Sequence, residues 1–122
     1  MQRKPNILLE KSEAFTSRII KMHKYLIETR HEHVFSLQVL RSGTSIGANI
    51  AESKNAQSSA DFLNKQNIAL KEADETKYWL HSLHEGGYLN DIEFNSINQD
   101  CEELIKMLVT SVKTMKRKLG RL

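Results

Sequence analysis

The sequence predicts an all-α protein, an antiparallel up-down-up-down four-helix bundle, and three observations carry that prediction. Four long segments repeat apolar residues at steps of three and four, the spacing that lines one stripe of a helix. Proline occurs once, at Pro5, and glycine five times in 122 residues, so helix breakers are nearly absent from the body of the chain. The connections between periodic segments are short, which makes consecutive helices run antiparallel. At 122 residues the chain has the usual size of one domain, residues 1–122, able to bury a core without disulfides or structural metal.

The first helix is expected over residues 6–30. It starts just after Pro5, whose fixed φ suits a first turn, and it aligns Leu8, Phe15, Ile19, Met22 and Leu26 on one stripe. His31, Glu32 and His33 form the connection to a second helix over residues 34–55. One stripe of that helix reads Leu37, Leu40, Thr44, Gly47 and Ala51, with small residues through its centre. The third helix, residues 59–85, is capped by Ser58 or Ser59 with Asp61 in its first turn, and its stripe is Phe62, Ala69, Ala73, Thr76, Leu80 and Leu83. Gly86 and Gly87 stop it, because a helix C-terminus commonly passes through the left-handed conformation that glycine adopts without strain. Asn90 or Asp91 caps a fourth helix reaching about residue 119, with Ile97, Cys101, Leu104, Leu108, Ser111 and Met115 aligned.

Composition excludes several classes. Apolar residues make up 39% and charged residues 27%, against both disorder and a turn-rich β fold. Cys101 is the sole cysteine, so no internal disulfide forms and a reducing compartment is expected; a small core hydrophobe is the reading for Cys101 itself. Arg3 and Lys4 resemble the basic start of a signal peptide, but the apolar stretch at residues 7–9 ends at once in Glu10 and Lys11. No run approaches the roughly 18 apolar residues of a membrane span, so a cytoplasmic protein without a membrane partner is expected.

No phosphate-binding glycine loop, nucleophile elbow or metalloprotease motif occurs, and the expectation is a protein that is not an enzyme, with no cofactor and no small-molecule substrate. A carboxylate-bridged di-metal bundle needs two Glu-x-x-His motifs, and only Glu28 to His31 is present. The topology brings His31, His33, His81 and His84 to one end, yet His-x-His and His-x-x-His are weak metal signals, and no metal site is assigned. Tyr78 and Trp79 read as core or interface packing ahead of a base-stacking platform.

Charge is uneven. Residues 1–24 carry six basic and two acidic side chains, residues 113–122 carry five basic and none acidic, and the middle of the chain is acidic. Up-down-up-down topology puts the start of the first helix and the end of the fourth at one pole. Arg3, Lys4, Lys113, Lys116, Arg117, Lys118 and Arg121 are therefore expected to form a basic, nucleic-acid-binding end, contacting RNA or DNA through the backbone because no aromatics interleave with the tail. The alternative is that these cations complement the helix dipole and keep the protein soluble.

On the second helix, Arg41, Ser45, Asn49 and Glu52 fall at three- and four-residue steps beside the apolar stripe, next to small residues that let another helix approach. They are candidates for an oligomer interface or a buried polar row, and the alternative is internal packing of a tight bundle with Arg41 and Glu52 at its wet margin.

Arg41, Ser42, Ser45, Ile46, Asn49, Ile50, Ala51 and Glu52, then Phe62, then Gly87, Tyr88 and Leu89, follow a pattern that resembles the 23S ribosomal RNA intervening sequence protein family over nearly the whole chain. Ser53 stands where that pattern has glycine, and Gly47 where it often has proline or another small residue. The family is similar to the accessory variability determinant of diversity-generating retroelements. This resemblance implies a four-helix bundle that assembles with itself as a homo-oligomer, a pentamer, with a basic surface for nucleic acid. A purely structural or protein-interaction module with no nucleic-acid partner is the other reading.

Overall fold

The computed structural model describes residues 6–121. It contains α1 (Ile7–Glu28), α2 (Val34–Lys54), α3 (Ser59–Glu85) and α4 (Asp91–Lys118), each ending within two residues of its expected bounds. Three starts are set by local side-chain caps, which satisfy amide groups that a helix leaves without partners. Asn6 accepts from the Leu9 amide at 3.0 Å. Ser58 accepts from Asp61 at 3.0 Å while the Asp61 carboxylate accepts from the Gln57 amide at 3.2 Å. Asn90 and Glu93 form a reciprocal capping box at 2.8 and 2.9 Å.

The start of α2 is held differently. His33 occupies the cap position without a side-chain bond, and the buried carboxylate of Glu32 does the work instead. Its Oε1 accepts from the Val34 and Phe35 amides at 3.0 Å each, and its Oε2 from Ser36 at 2.7 Å. Ser36 Oγ donates back to the Glu32 carbonyl at 2.8 Å, and His31 turns the chain into this arrangement at φ 54°. A carboxylate facing the positive end of a helix is favoured twice, by charge-assisted hydrogen bonds and by the dipole. Glu32→Ala is expected to destabilise the protein by about 2 kcal/mol, and Glu32→Gln by less, in urea denaturation; an unchanged midpoint for Glu32→Ala would show that the cap is dispensable.

The α3 end is a Schellman motif: the Tyr88 amide donates to the Leu83 carbonyl at 2.9 Å and Gly87 to His84 at 3.0 Å, with Gly87 at φ 81°. A β-carbon is strained there whatever the space, which is why Gly87 ends this helix, while Gly86 before it keeps a helical φ of −76°.

One core gathers all four helices around Ile19, Leu26, Ile46, Leu80, Leu83, Leu104 and Leu108, each at most 1% exposed. The expected stripes of α1, α3 and α4 are the buried ones, with small shifts: Leu8 is half-buried, Leu63 lies deeper than Phe62, and Val112 deeper than Ser111 or Met115. The stripe of α2 is corrected. Gly47 is buried as expected and Leu40 packs half-buried against the core, but Leu37 is 57% exposed, Ala51 is exposed and Thr44 is only half-buried, while Ser36, Val39, Gly43, Ile46 and Ile50 supply the rest of the inward face. Burying Val39, Ile46 and Ile50 removes more apolar area than burying Thr44 and Ala51. Gly43 and Gly47 on the same side let α1 come close: a β-carbon at Gly43 would lie 2.9 Å from Ile19 Cγ1 and Cγ2, and one at Gly47 2.9 Å from Thr16 Oγ1.

Consecutive helices pack along their lengths, whereas α1 and α4 meet far less extensively. Their antiparallel register is set by Lys11–Glu103 at 2.7 Å and Arg18–Asp100 at 2.6 Å. The start of α1 and the end of α4 therefore share a pole. Among the described residues, no helix is long and apolar enough to cross a membrane.

Candidate nucleic-acid interface

After Glu103 the chain carries no acidic residue. Cys101, Leu104 and Leu108 turn one side of α4 into the core, and at 100° per residue Lys106, Lys113 and Arg117 fall in a row on the opposite side, all exposed. Lys118 is exposed on one flank and Lys116 half-buried on the other. Gly120, at φ 67°, closes the helix with a second Schellman motif: its amide donates to Arg117 at 3.0 Å, and the Arg121 amide donates to the Lys116 carbonyl at 2.8 Å. That turn brings the Arg121 backbone back against the last turn of α4. None of these six side chains forms an ion pair among the described residues. Cations are favoured at a helix C-terminus, so the fold tolerates this concentration of unanswered charge.

Arg3 and Lys4 lie outside the described residues. Of the remaining bases near the N-terminus, Lys11 and Arg18 are answered by Glu103 and Asp100 across the α1–α4 seam and add little to the polar end. The positive surface is thus a row along α4 as much as a pole. Lys106 belongs to it although it lies in the acidic middle of the sequence; its seven-residue step to Lys113 puts the two on one side of the helix.

Arg41, Ser45, Asn49 and Glu52 do not form a buried row. Arg41 and Glu52 are exposed and Ser45 and Asn49 half-buried, and the polar groups close locally. Ser45 donates to the Arg41 carbonyl at 2.7 Å and Asn49 to the Ser45 carbonyl at 2.8 Å; Glu52 meets Lys65 at 3.0 Å, and Arg41 meets Glu75 at 3.5 Å. The pairs across α2 and α3 answer the charges within one chain. The buried polar contacts lie one position over, where Thr76 donates to Ser42 at 2.9 Å and Gln66 to Ser53 at 3.4 Å. On the same seam Glu72 Oε2 is buried without a partner, and burial, then the nearby Glu75, push this carboxyl above its ordinary range.

His81 and His84 pack on Phe94, edge-on at 4.9 Å and stacked at 4.3 Å, and His84 Nε2 lies 2.7 Å from Asp91. Among the described residues, no three His, Cys, Asp or Glu side chains converge as metal ligands. Trp79 is half-buried, stacks on Phe35 at 5.8 Å and donates to Glu75 at 3.2 Å, while Tyr78 is 64% exposed. Burial pushes the Cys101 thiol up to about 12, and the thiol contacts the Ala73 carbonyl at 3.5 Å. Iodoacetamide at pH 8 is expected to leave the folded protein unmodified and to label it once in urea; rapid labelling of the native state would contradict this burial.

No curated protein matches the chain. A solved structure from Bacteroides thetaiotaomicron, a protein of unknown function from the S23 ribosomal protein family, is 50% identical and superposes with a TM-score of 0.86, covering 87% of this chain and 98% of that one. The family model for the 23S rRNA-intervening sequence protein matches residues 4–110, most of the bundle and the whole of the Arg41–Glu52 pattern. The chain belongs to the 23S rRNA-intervening sequence protein family.

Proposed function

We propose that this chain is a non-catalytic, self-associating helical bundle of the cytoplasm that binds the phosphate backbone of RNA or DNA. One observation carries the reading: Lys106, Lys113 and Arg117 line the outer face of α4, with Lys116, Lys118 and Arg121 beside them, and none is neutralised by an acid among the described residues. Cations spaced along a helix engage successive phosphates, release counterions and read little sequence, because no aromatic side chain stands among them to stack on bases. The family match stops at residue 110, so the tail from Lys113 onward is argued from this chain alone. Self-association, a pentamer by the family resemblance, would repeat the row around an axis and raise the local potential.

Fluorescence anisotropy with a labelled RNA and a duplex DNA of unrelated sequence tests this. Log affinity should fall linearly with log salt, with nearly equal affinities for different sequences. Absence of binding at low salt by a folded, assembled protein would favour the second reading, a protein-interaction module. That reading is supported by the exposed apolar side chains Val34, Leu37, Tyr78 and Ile92.

A further inference from the structure

The last turns of α4 differ from the rest of the helix. Cys101, Leu104, Leu108 and Val112 are buried, and after Val112 no residue through Arg121 is. The neighbouring helix α1 does not flank this end. Ile7, its first residue, lies four residues before Lys11 and so opposite Met107 by the Lys11–Glu103 pair. It lies eleven residues before Arg18 and so opposite Ser111 by the Arg18–Asp100 pair. A shallow hollow of about 310 Å³ beside Lys106, Met107 and Thr110 opens at the same level. The stretch from Lys113 to Lys118, about 9 Å of helix, therefore runs on past the start of α1.

On this stretch Lys116, Arg117 and Lys118 are consecutive, so at 100° per residue they point in three directions spread over about 200° of the helix circumference. Lys113 falls between the directions of the first two. Arg117 and Lys118 are exposed and Lys116 is half-buried, and no acidic residue follows Glu103 to answer them. A straight strand, or the outer face of a duplex, reaches the row of Lys106, Lys113 and Arg117 and one flank at most. Phosphates meet Lys116 and Lys118 together where strands stand on both sides of the helix, which is what a groove provides.

The major groove of B-form DNA is about 12 Å wide and admits a helix whose diameter with side chains is about 10 to 12 Å. The major groove of an A-form RNA duplex is too narrow for side chains to enter. Single strands are held largely by stacking on aromatic side chains, and none follows Phe94 in this chain. We propose that the end of α4 enters the major groove of B-form duplex DNA, with Lys113 and Lys116 turned to the phosphates of one strand, Lys118 to those of the other, and Arg117 between them. This assignment rests on the backbone binding of the proposed function and names the form of nucleic acid it takes.

Fluorescence anisotropy of the unmodified chain with a duplex DNA, a duplex RNA and a single-stranded DNA of equal length tests it. The duplex DNA is expected to bind about tenfold tighter than the duplex RNA at 0.1 M salt. Lys116→Gln combined with Lys118→Gln should lower the salt slope on duplex DNA by about 1.8, nine-tenths of a unit for each lost phosphate contact, and leave the slope on duplex RNA unchanged. Lysine and glutamine have similar helix propensity, so circular dichroism should show this variant as helical as the unmodified chain. In the complex, guanine N7 in the major groove should be protected from dimethyl sulfate, and adenine N3 in the minor groove should react as in free DNA. Equal affinity for the two duplexes, tighter binding of the single strand, or protection of adenine N3 in place of guanine N7 overturns the groove and leaves backbone binding standing. A folded chain that binds none of the three probes at low salt overturns backbone binding and the groove with it.

Discussion

Replacing Lys106, Lys113 and Arg117 together with glutamine is expected to weaken binding to duplex DNA by roughly two orders of magnitude at 0.1 M salt and to reduce the salt slope by about 2.7, nine-tenths of a unit for each lost phosphate contact. The matched control is Lys11, Lys65 and Lys77 to glutamine. It removes the same formal charge, but from side chains already bonded to Glu103, Glu52 and Glu102 at 2.7, 3.0 and 3.4 Å. Exposed pairs of this kind contribute little to stability, so the control should stay folded and bind nearly as the unmodified chain does. If both triple variants lose affinity equally, net charge and not the α4 row governs binding. If neither does, the surface assigned to nucleic acid is elsewhere or absent.

The second large effect concerns stability. Gly43→Val is expected to destabilise the bundle by about 3 kcal/mol, because the new β-carbon would fall 2.9 Å from two branches of Ile19, which is itself fully buried and has nowhere to move. The small gain in helix propensity on leaving glycine offsets less than about 0.5 kcal/mol of this. Ile19→Ala alone should also be costly, by about 2 to 4 kcal/mol, through the cavity it opens. The two substitutions together should cost at least about 1 kcal/mol less than their sum, since each relieves the other's defect. Strict additivity in denaturant melts would mean that the close approach of α1 and α2 at this point is not what requires the glycine.

The helix limits were legible because they are set by nearby residues. Asn6, Ser58 and Asn90 bond to amides three positions on, and Gly87 takes a conformation that other residues avoid, so a local reading reaches them. The Glu32 cap is as local, but glutamate is not a usual cap residue, and by sequence alone Glu32 falls in the connection between two histidines. At the candidate site, Lys113, Lys116, Arg117, Lys118 and Arg121 were legible because one helix holds them all, while the pairing of Lys11 with Glu103 joins residues from opposite ends of the chain.

By itself the sequence determined four helices, their antiparallel order, their membership in a family and a run of cations with no acids among them. Those properties depend on periodicity, short connections and composition, all of which act along the chain. Only the tertiary structure decided which of two stripes on α2 is buried, which bases keep their charge unanswered, and where the bundle is left open. Each of these is settled by competition between surfaces on different helices. Ile46 and Ile50 lie in the core where Gly43 admits Ile19 beside them, and Leu37 and Ala51, on another side of α2, are left exposed.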